Sequence, residues 1–225
     1  MKHRLPLLLN ALTKFLCGLV LVGLLLFLPA GTLRYPGGWL FIGFLFVPIL
    51  ILGIVMLIKS PDLLRKRLNA KEKQATQRGV VALSGLLFLA GFILAGLDFR
   101  FGWSKVPAPV VVIASVILLV SYALYAEVMR ENAYLSRTIE IQENQKVVDT
   151  GLYGLVRHPM YAVTIWMFLS IPLMLGSWFS LLCFLHYPIL MVARIRNEEA
   201  LLTTELEGYE AYKKKVKYRL IPFIW

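Results

Sequence analysis

Four stretches of the chain, about 11–30, 38–58, 79–97 and 107–129, each run for roughly 20 residues with few charges, the length of helix that crosses a ~30 Å hydrocarbon core. A fifth apolar region, 159–193, is too long for one crossing. It is interrupted at Leu175-Gly176-Ser177 just after Pro172, a turn signal. Two helices of about 16 residues fit there, as a short hairpin that is tilted or sits in locally thin bilayer. The pattern allows five or six crossings and favours six. The expected fold class is therefore an all-α, polytopic integral membrane protein. Residues 1–130 form a four-helix transmembrane region, and 131–225 a C-terminal region with a loop, the hairpin and a cytoplasmic amphipathic tail helix.

The polar stretches are equally informative. The 59–78 loop, with Arg65-Lys66-Arg67, Lys71 and Lys73, predicts an amphipathic surface helix against anionic headgroups. Residues 138–148 alternate apolar and polar, which suits an extended segment or a small hairpin. Gly151 and Gly154 then break the chain before Arg157-His158-Pro159, where Pro159 fits the first turn of a helix. After Arg196 the tail reads as a helix with Leu201, Leu202 and Leu206 on one face, continued by Tyr209, Tyr212, Val216 and Leu220 until Pro222.

Composition sharpens the membrane reading. Of 225 residues 59% are hydrophobic and 16% charged, with a mean hydropathy of +0.71, which excludes an ordinary globular domain. The net charge of +11 is a topology signal rather than a nucleic-acid footprint. With six crossings, 20 Lys and Arg fall on one side, and only Arg34, Arg100 and Lys105 on the other. That bias places both termini in the cytoplasm. Both long polar segments lie on that side, so chemistry belongs at the inner face. Cys17 and Cys183 sit apart in apolar runs, which argues against a disulfide framework or structural zinc. The first run has no clear small-x-small cleavage site and reads as retained.

Two constellations could carry chemistry. Gly151-Leu152-Tyr153-Gly154-Leu155-Val156-Arg157-His158-Pro159-Met160-Tyr161 puts glycines, two phenols and an Arg-His pair at a helix start, where free N–H groups attract a carboxylate or phosphate. Interfacial anchoring by Tyr and Arg is the alternative. Arg194-Ile195-Arg196-Asn197-Glu198-Glu199 lies where the last span leaves the membrane. Arg194 and Glu198 share a face and can pair or grip a zwitterionic ligand together. Glu199 lies about 100° further round, so one carboxylate would face a pocket and the other water. A solvated helix start is the alternative. Glu127 is placed to pair with Arg130, and His186 reads as a hydrogen-bonded packing residue. No spacing resembles a metal site, a P-loop or a dinucleotide fingerprint.

Taken together with Tyr209-x-x-Tyr212-Lys213-Lys214-Lys215-Val216 and Leu220-Ile221-Pro222, these motifs resemble the isoprenylcysteine carboxyl methyltransferase family, which is similar in turn to membrane phospholipid methyltransferases. The resemblance covers about residues 138–225. It implies a helical membrane enzyme that uses S-adenosyl-L-methionine. His158, Pro159, Met160 and Tyr161 would line the cofactor pocket, with Tyr153 and the stretch Gln145, Lys146, Val147 and Val148. Arg194 would hold the substrate carboxyl and Glu198 the cofactor. Family enzymes that act on prenylated cysteine often have His where Gln145 stands. The first four spans carry no matching motif.

The chemistry implied is carboxyl O-methylation of an apolar or prenylated small substrate that enters from the bilayer, with no metal and no nucleic acid. Competing readings are N- or S-methylation of another membrane-soluble acceptor and an NADPH-dependent sterol-type reductase. The reductases usually have Asn at Met160 and Asp-Glu at Glu198-Glu199. A non-enzymatic protein that has kept the scaffold is a third.

Overall fold

In a computed structural model, which describes residues 4–68, 75–135 and 141–225, the apolar runs are helices. In order they are α1 Arg4–Ala30, α2 Pro36–Lys59, α3 Pro61–Leu68, α4 Ala75–Phe101, α5 Ala108–Glu131, α6 Pro159–Met174, α7 Trp178–Phe184, α8 Tyr187–Glu205 and α9 Tyr209–Lys215, with a 3₁₀ turn at Gly151–Gly154. No strand occurs among the described residues. Proline opens or nearly opens several of these helices, where its missing N–H has no intrahelical partner to lose. Five helical stretches are long and apolar enough to cross a membrane, the fifth being Trp178–Glu205, and α6 is a shorter apolar helix. Their outer faces carry exposed Val20, Ile51, Leu86, Val112 and many like them, a surface suited to lipid.

Three expectations change in detail. The second arm of the hairpin is not one helix of about 16 residues but α7 followed by α8. Pro188, in the first turn of α8, cannot donate back to the preceding turn, so the helix restarts at Tyr187. α8 then continues well past residue 193, out to Glu205. The tail helix breaks at Leu206–Gly208 and ends at Lys215, so Val216 and Leu220 lie on non-helical chain. Of the 138–148 segment, Thr138–Glu140 lie outside the described residues; the rest is irregular with one turn and forms no hairpin. The basic loop supplies α3, while Lys71 and Lys73 lie outside the described residues.

The main apolar cluster is shared by α1, α2, α4, α5, α6 and α7 and includes Leu26, Phe41, Phe92, Leu118, Met174 and Phe184, with smaller clusters around Ile195, Val128 and Tyr209. α1 packs on α4, α5 on α6, and α4 on both α7 and α8. At the end of the bundle that holds the α6–α7 turn, two polar contacts lock the hairpin. The Tyr35 hydroxyl donates to the Leu175 carbonyl at 2.6 Å. Asp98, almost fully buried, accepts from Ser104 N (2.7 Å), Ser104 Oγ (2.6 Å) and Ser177 Oγ (2.5 Å). Those bonds satisfy a carboxylate that would otherwise be costly to bury. At the opposite end the Lys14 ammonium donates to the Leu68 carbonyl, and Glu127 pairs with Arg130.

Gly96 lets α1 and α4 touch: a Cβ there would lie 2.5 Å from the Leu26 carbonyl oxygen and 3.1 Å from the Ala30 nitrogen. Those are backbone atoms and cannot rotate away. Gly96→Ala should therefore destabilise the bundle by about 1–3 kcal/mol. Gly23→Ala, with nothing within 4 Å of the added carbon, should leave stability unchanged or slightly raised. Thermal unfolding in detergent checks the pair; equal Tm values would show that the close approach carries no constraint.

Candidate active site

The site is assembled where α5 ends, α6 begins and α8 leaves the apolar bundle. Glu131, the last residue of α5, accepts from the Leu152 amide at 3.0 Å and so caps the 3₁₀ turn. Gly151 makes this approach feasible, since a Cβ on it would collide with the Glu131 carboxylate, and its φ of +51° suits glycine. Asn132 Nδ2 donates to the Tyr153 hydroxyl (3.0 Å), and the Tyr212 hydroxyl donates to the Tyr153 carbonyl (2.7 Å). The loop at 141–158 is thus tied to α5 on one side and α9 on the other.

The chain end closes the back of this assembly. The amides of Arg157 and His158 donate to the carbonyls of Tyr218 and Arg219, both at 2.9 Å. Arg157 Nη1 donates to the Val216 and Lys217 carbonyls at 2.8 Å. At the centre sits Glu199, 5% exposed. Its Oε1 accepts from Arg157 Nε at 2.7 Å and lies 3.2 Å from His158 Nε2, and its Oε2 accepts from Arg219 Nε at 2.7 Å. This corrects the expectation that the second carboxylate faces water. One carboxylate binds the Arg-His pair, α8 and the tail together, because a buried charge is tolerated only when fully partnered.

The neighbouring carboxylate faces a pocket. The Tyr161 hydroxyl donates to Glu198 Oε2 at 2.5 Å and accepts from Arg194 Nε at 3.0 Å. Arg194 and Glu198, one turn apart on α8, are therefore linked through Tyr161 of α6. The open-mouthed pocket, about 860 Å³ with its mouth counted, is lined by Gln145, Lys146, Val147, Val148, Tyr153, His158, Met160, Tyr161, Arg194 and Glu198. Pro159 lies outside that wall, buried in the first turn of α6. All the candidate site residues but this one thus surround one cavity. Gln145 has a second task, since its side-chain oxygen accepts from the Gln142 amide at 2.9 Å and fixes its own turn. Among the described residues no group of three or more His, Cys, Asp and Glu could hold a metal ion.

Several residues of the site escape sequence reasoning. Asn132, Tyr134 and Leu135 line the pocket from just beyond α5, with no local signal to mark them. Leu201, Leu202, Leu206, Tyr209 and Tyr212 close it from α8 and α9, where an apolar face was legible but its target was not. Burial raises the pKa of the Tyr153, Tyr209 and Tyr212 phenols well above the ordinary value, with Glu199 adding to the shift at Tyr209. All three are therefore neutral hydroxyls at working pH. At the rim, the Lys215 ammonium holds the Asp149 carboxyl below the usual range.

The wall suits S-adenosyl-L-methionine by its chemistry. It offers a carboxylate, Glu198, for amino or hydroxyl groups. It also offers an apolar strip, Val147, Val148, Leu201 and Leu202, for a heteroaromatic ring. The buried Tyr209 hydroxyl, which lacks a partner among the described residues, would find one in a polar ligand.

Residues 107–207 match the phospholipid methyltransferase family. The fold is similar to that of the eukaryotic intramembrane Ras methyltransferase ICMT, isoprenylcysteine carboxyl methyltransferase. That likeness has a TM-score of 0.53 and 18% sequence identity, over 91% of this chain and 74% of that one. No curated protein sequence matches. The likeness shows the fold, a helical multi-pass integral membrane scaffold.

Replacing Glu199 by Gln leaves Arg157, Arg219 and His158 facing a neutral group. The variant should lose about 3 kcal/mol of stability and release the tail. Hydrogen exchange at the Arg157 and His158 amides checks this, with Glu207→Gln as a surface control. Unchanged protection would mean that the tail is held by other contacts.

Proposed function

We propose that the chain is an S-adenosylmethionine-dependent methyltransferase that methylates a carboxylate on a lipid-like or isoprenylcysteine-like acceptor at the cytoplasmic face of a membrane. The observation that carries this reading is the Arg194–Tyr161–Glu198 chain on the wall of a pocket at the end of the apolar bundle. The Lys and Arg distribution supports the orientation, with both termini and the pocket on the cytoplasmic side.

When bound, S-adenosyl-L-methionine supplies a methyl group on a positive sulfonium; transfer forms a C–O bond as the C–S pair returns to sulfur, leaving a neutral ester and a neutral thioether. A carboxylate is already ionised near neutral pH, so the protein needs no general base. What the side chains supply is position and exclusion of water. Glu198 holds a donor group of the cofactor, and its place is fixed by the Tyr161 hydroxyl. Arg194 holds one acceptor oxygen by a charge-assisted hydrogen bond without giving up a proton. Tyr161 sets the spacing between the two. The neutral phenols of Tyr153, Tyr209 and Tyr212 line the wall without adding negative charge that would repel the acceptor.

Calorimetry on the detergent-purified protein tests this. S-adenosylmethionine should bind in the micromolar range, and Glu198→Ala should weaken it roughly tenfold or more through loss of a charge-assisted bond. NADPH binding in its place would contradict the proposal and favour a reductase. Arg194→Ala should lower turnover more than cofactor affinity; a large affinity loss with normal turnover at saturation would refute its acceptor role.

A further inference from the structure

Among the described residues two buried side-chain polar atoms lack a hydrogen-bond partner, the Tyr209 hydroxyl and the Gln77 amide nitrogen. Tyr209 lines the pocket. Gln77 is on α4, in the half of the chain that the family match does not reach. It has no solvent exposure, and its Oε1 accepts from Arg194 Nη1 at 3.2 Å. That bond fixes the amide's direction. A guanidinium only donates, so the amide must present its oxygen to Arg194 and turn its NH2 group elsewhere. Asp98, also deeply buried in the bundle, has both oxygens bonded within the protein. Gln77 keeps two buried hydrogens.

We propose that Gln77 completes the acceptor subsite: its oxygen positions Arg194, and its NH2 group donates to an anionic acceptor held by that arginine. The inference rests on the methyltransferase reading above and adds a physical reason for its carboxylate acceptor. Arg194 and the Gln77 amide nitrogen offer only hydrogens. A carboxylate has two oxygens with several lone pairs, so it can accept from both groups and still direct one pair at the methyl carbon. A protonated amine would meet a cation. A neutral amine would have its single lone pair taken by a donor, and that is the pair it needs for attack. The residue also gives the N-terminal helices a part in the chemistry, because α4 packs directly on α8.

The test uses the full-length protein in detergent and two probes, a prenylcysteine carboxylate and the matching carboxamide, with S-adenosylmethionine binding measured alongside. Wild type should prefer the carboxylate. Gln77→Glu and Gln77→Met should weaken carboxylate binding roughly tenfold or more, while S-adenosylmethionine and the carboxamide stay within about twofold. Gln77→Asn, with a shorter arm but the same donor, should recover part of the preference. Parallel losses for both probes and S-adenosylmethionine would mean a packing role only and overturn the inference. A wild type that binds S-adenosylmethionine without preferring the carboxylate would overturn it too and leave the methyltransferase reading standing. No S-adenosylmethionine binding by wild type would bring down that reading itself.

Discussion

The site depends on one buried carboxylate and the helix that carries it. α8 leaves the apolar bundle without a break, so consecutive residues of one turn look in different directions. Glu198 meets the pocket, while Glu199 turns inward to Arg157, His158 and Arg219. An ion pair at this depth loses hydration on both sides and stabilises only when every lone pair is used. Here the accounting is nearly complete, because Arg157 also satisfies two tail carbonyls with the nitrogen that Glu199 does not reach. Loop, helix start and chain end are thereby held in one geometry, and the pocket wall follows from it.

The two ends of the bundle divide the work. At the end with the α6–α7 turn, Tyr35 and Asp98 find hydrogen-bond partners within the protein and fix the hairpin. At the other end, polar groups are left partly unmatched: the Tyr209 hydroxyl and the Gln77 amide are both buried. Such a contrast is what a rigid scaffold with a ligand site at one end requires, since a group that must bind something cannot already be satisfied.

Much of this was legible in the sequence, for physical reasons. Uncharged runs of about 20 residues have few folded options other than crossing helices, and all four of the first spans appear, lengthened at one or both ends. The motif residues from Gln145 to Glu198, Pro159 apart, gather around one pocket because the loop before α6, the start of α6 and α8 meet at the bundle's end. What was hidden depends on partners distant in sequence. Glu199 reads as a solvated charge until Arg219 and the tail fold back on it. The restart at Tyr187 is a local effect of Pro188 within a run still apolar enough to read as one span. Gln77 sits at the edge of an apolar span, where a polar residue reads as a boundary marker; only the packing of α4 on α8 brings it to Arg194.

The central claim is that this end of the bundle passes a methyl group to a carboxylate dissolved in lipid. The direct measurement is transfer of label from methyl-tritiated S-adenosylmethionine into the organic phase of membrane lipid extracts and prenylcysteine analogues, followed by mild base. The account predicts labelled product whose tritium is released as methanol, as an ester requires, and none with Arg194→Ala. Label that resists base would contradict carboxyl methylation, and no label in any fraction would contradict the enzyme itself.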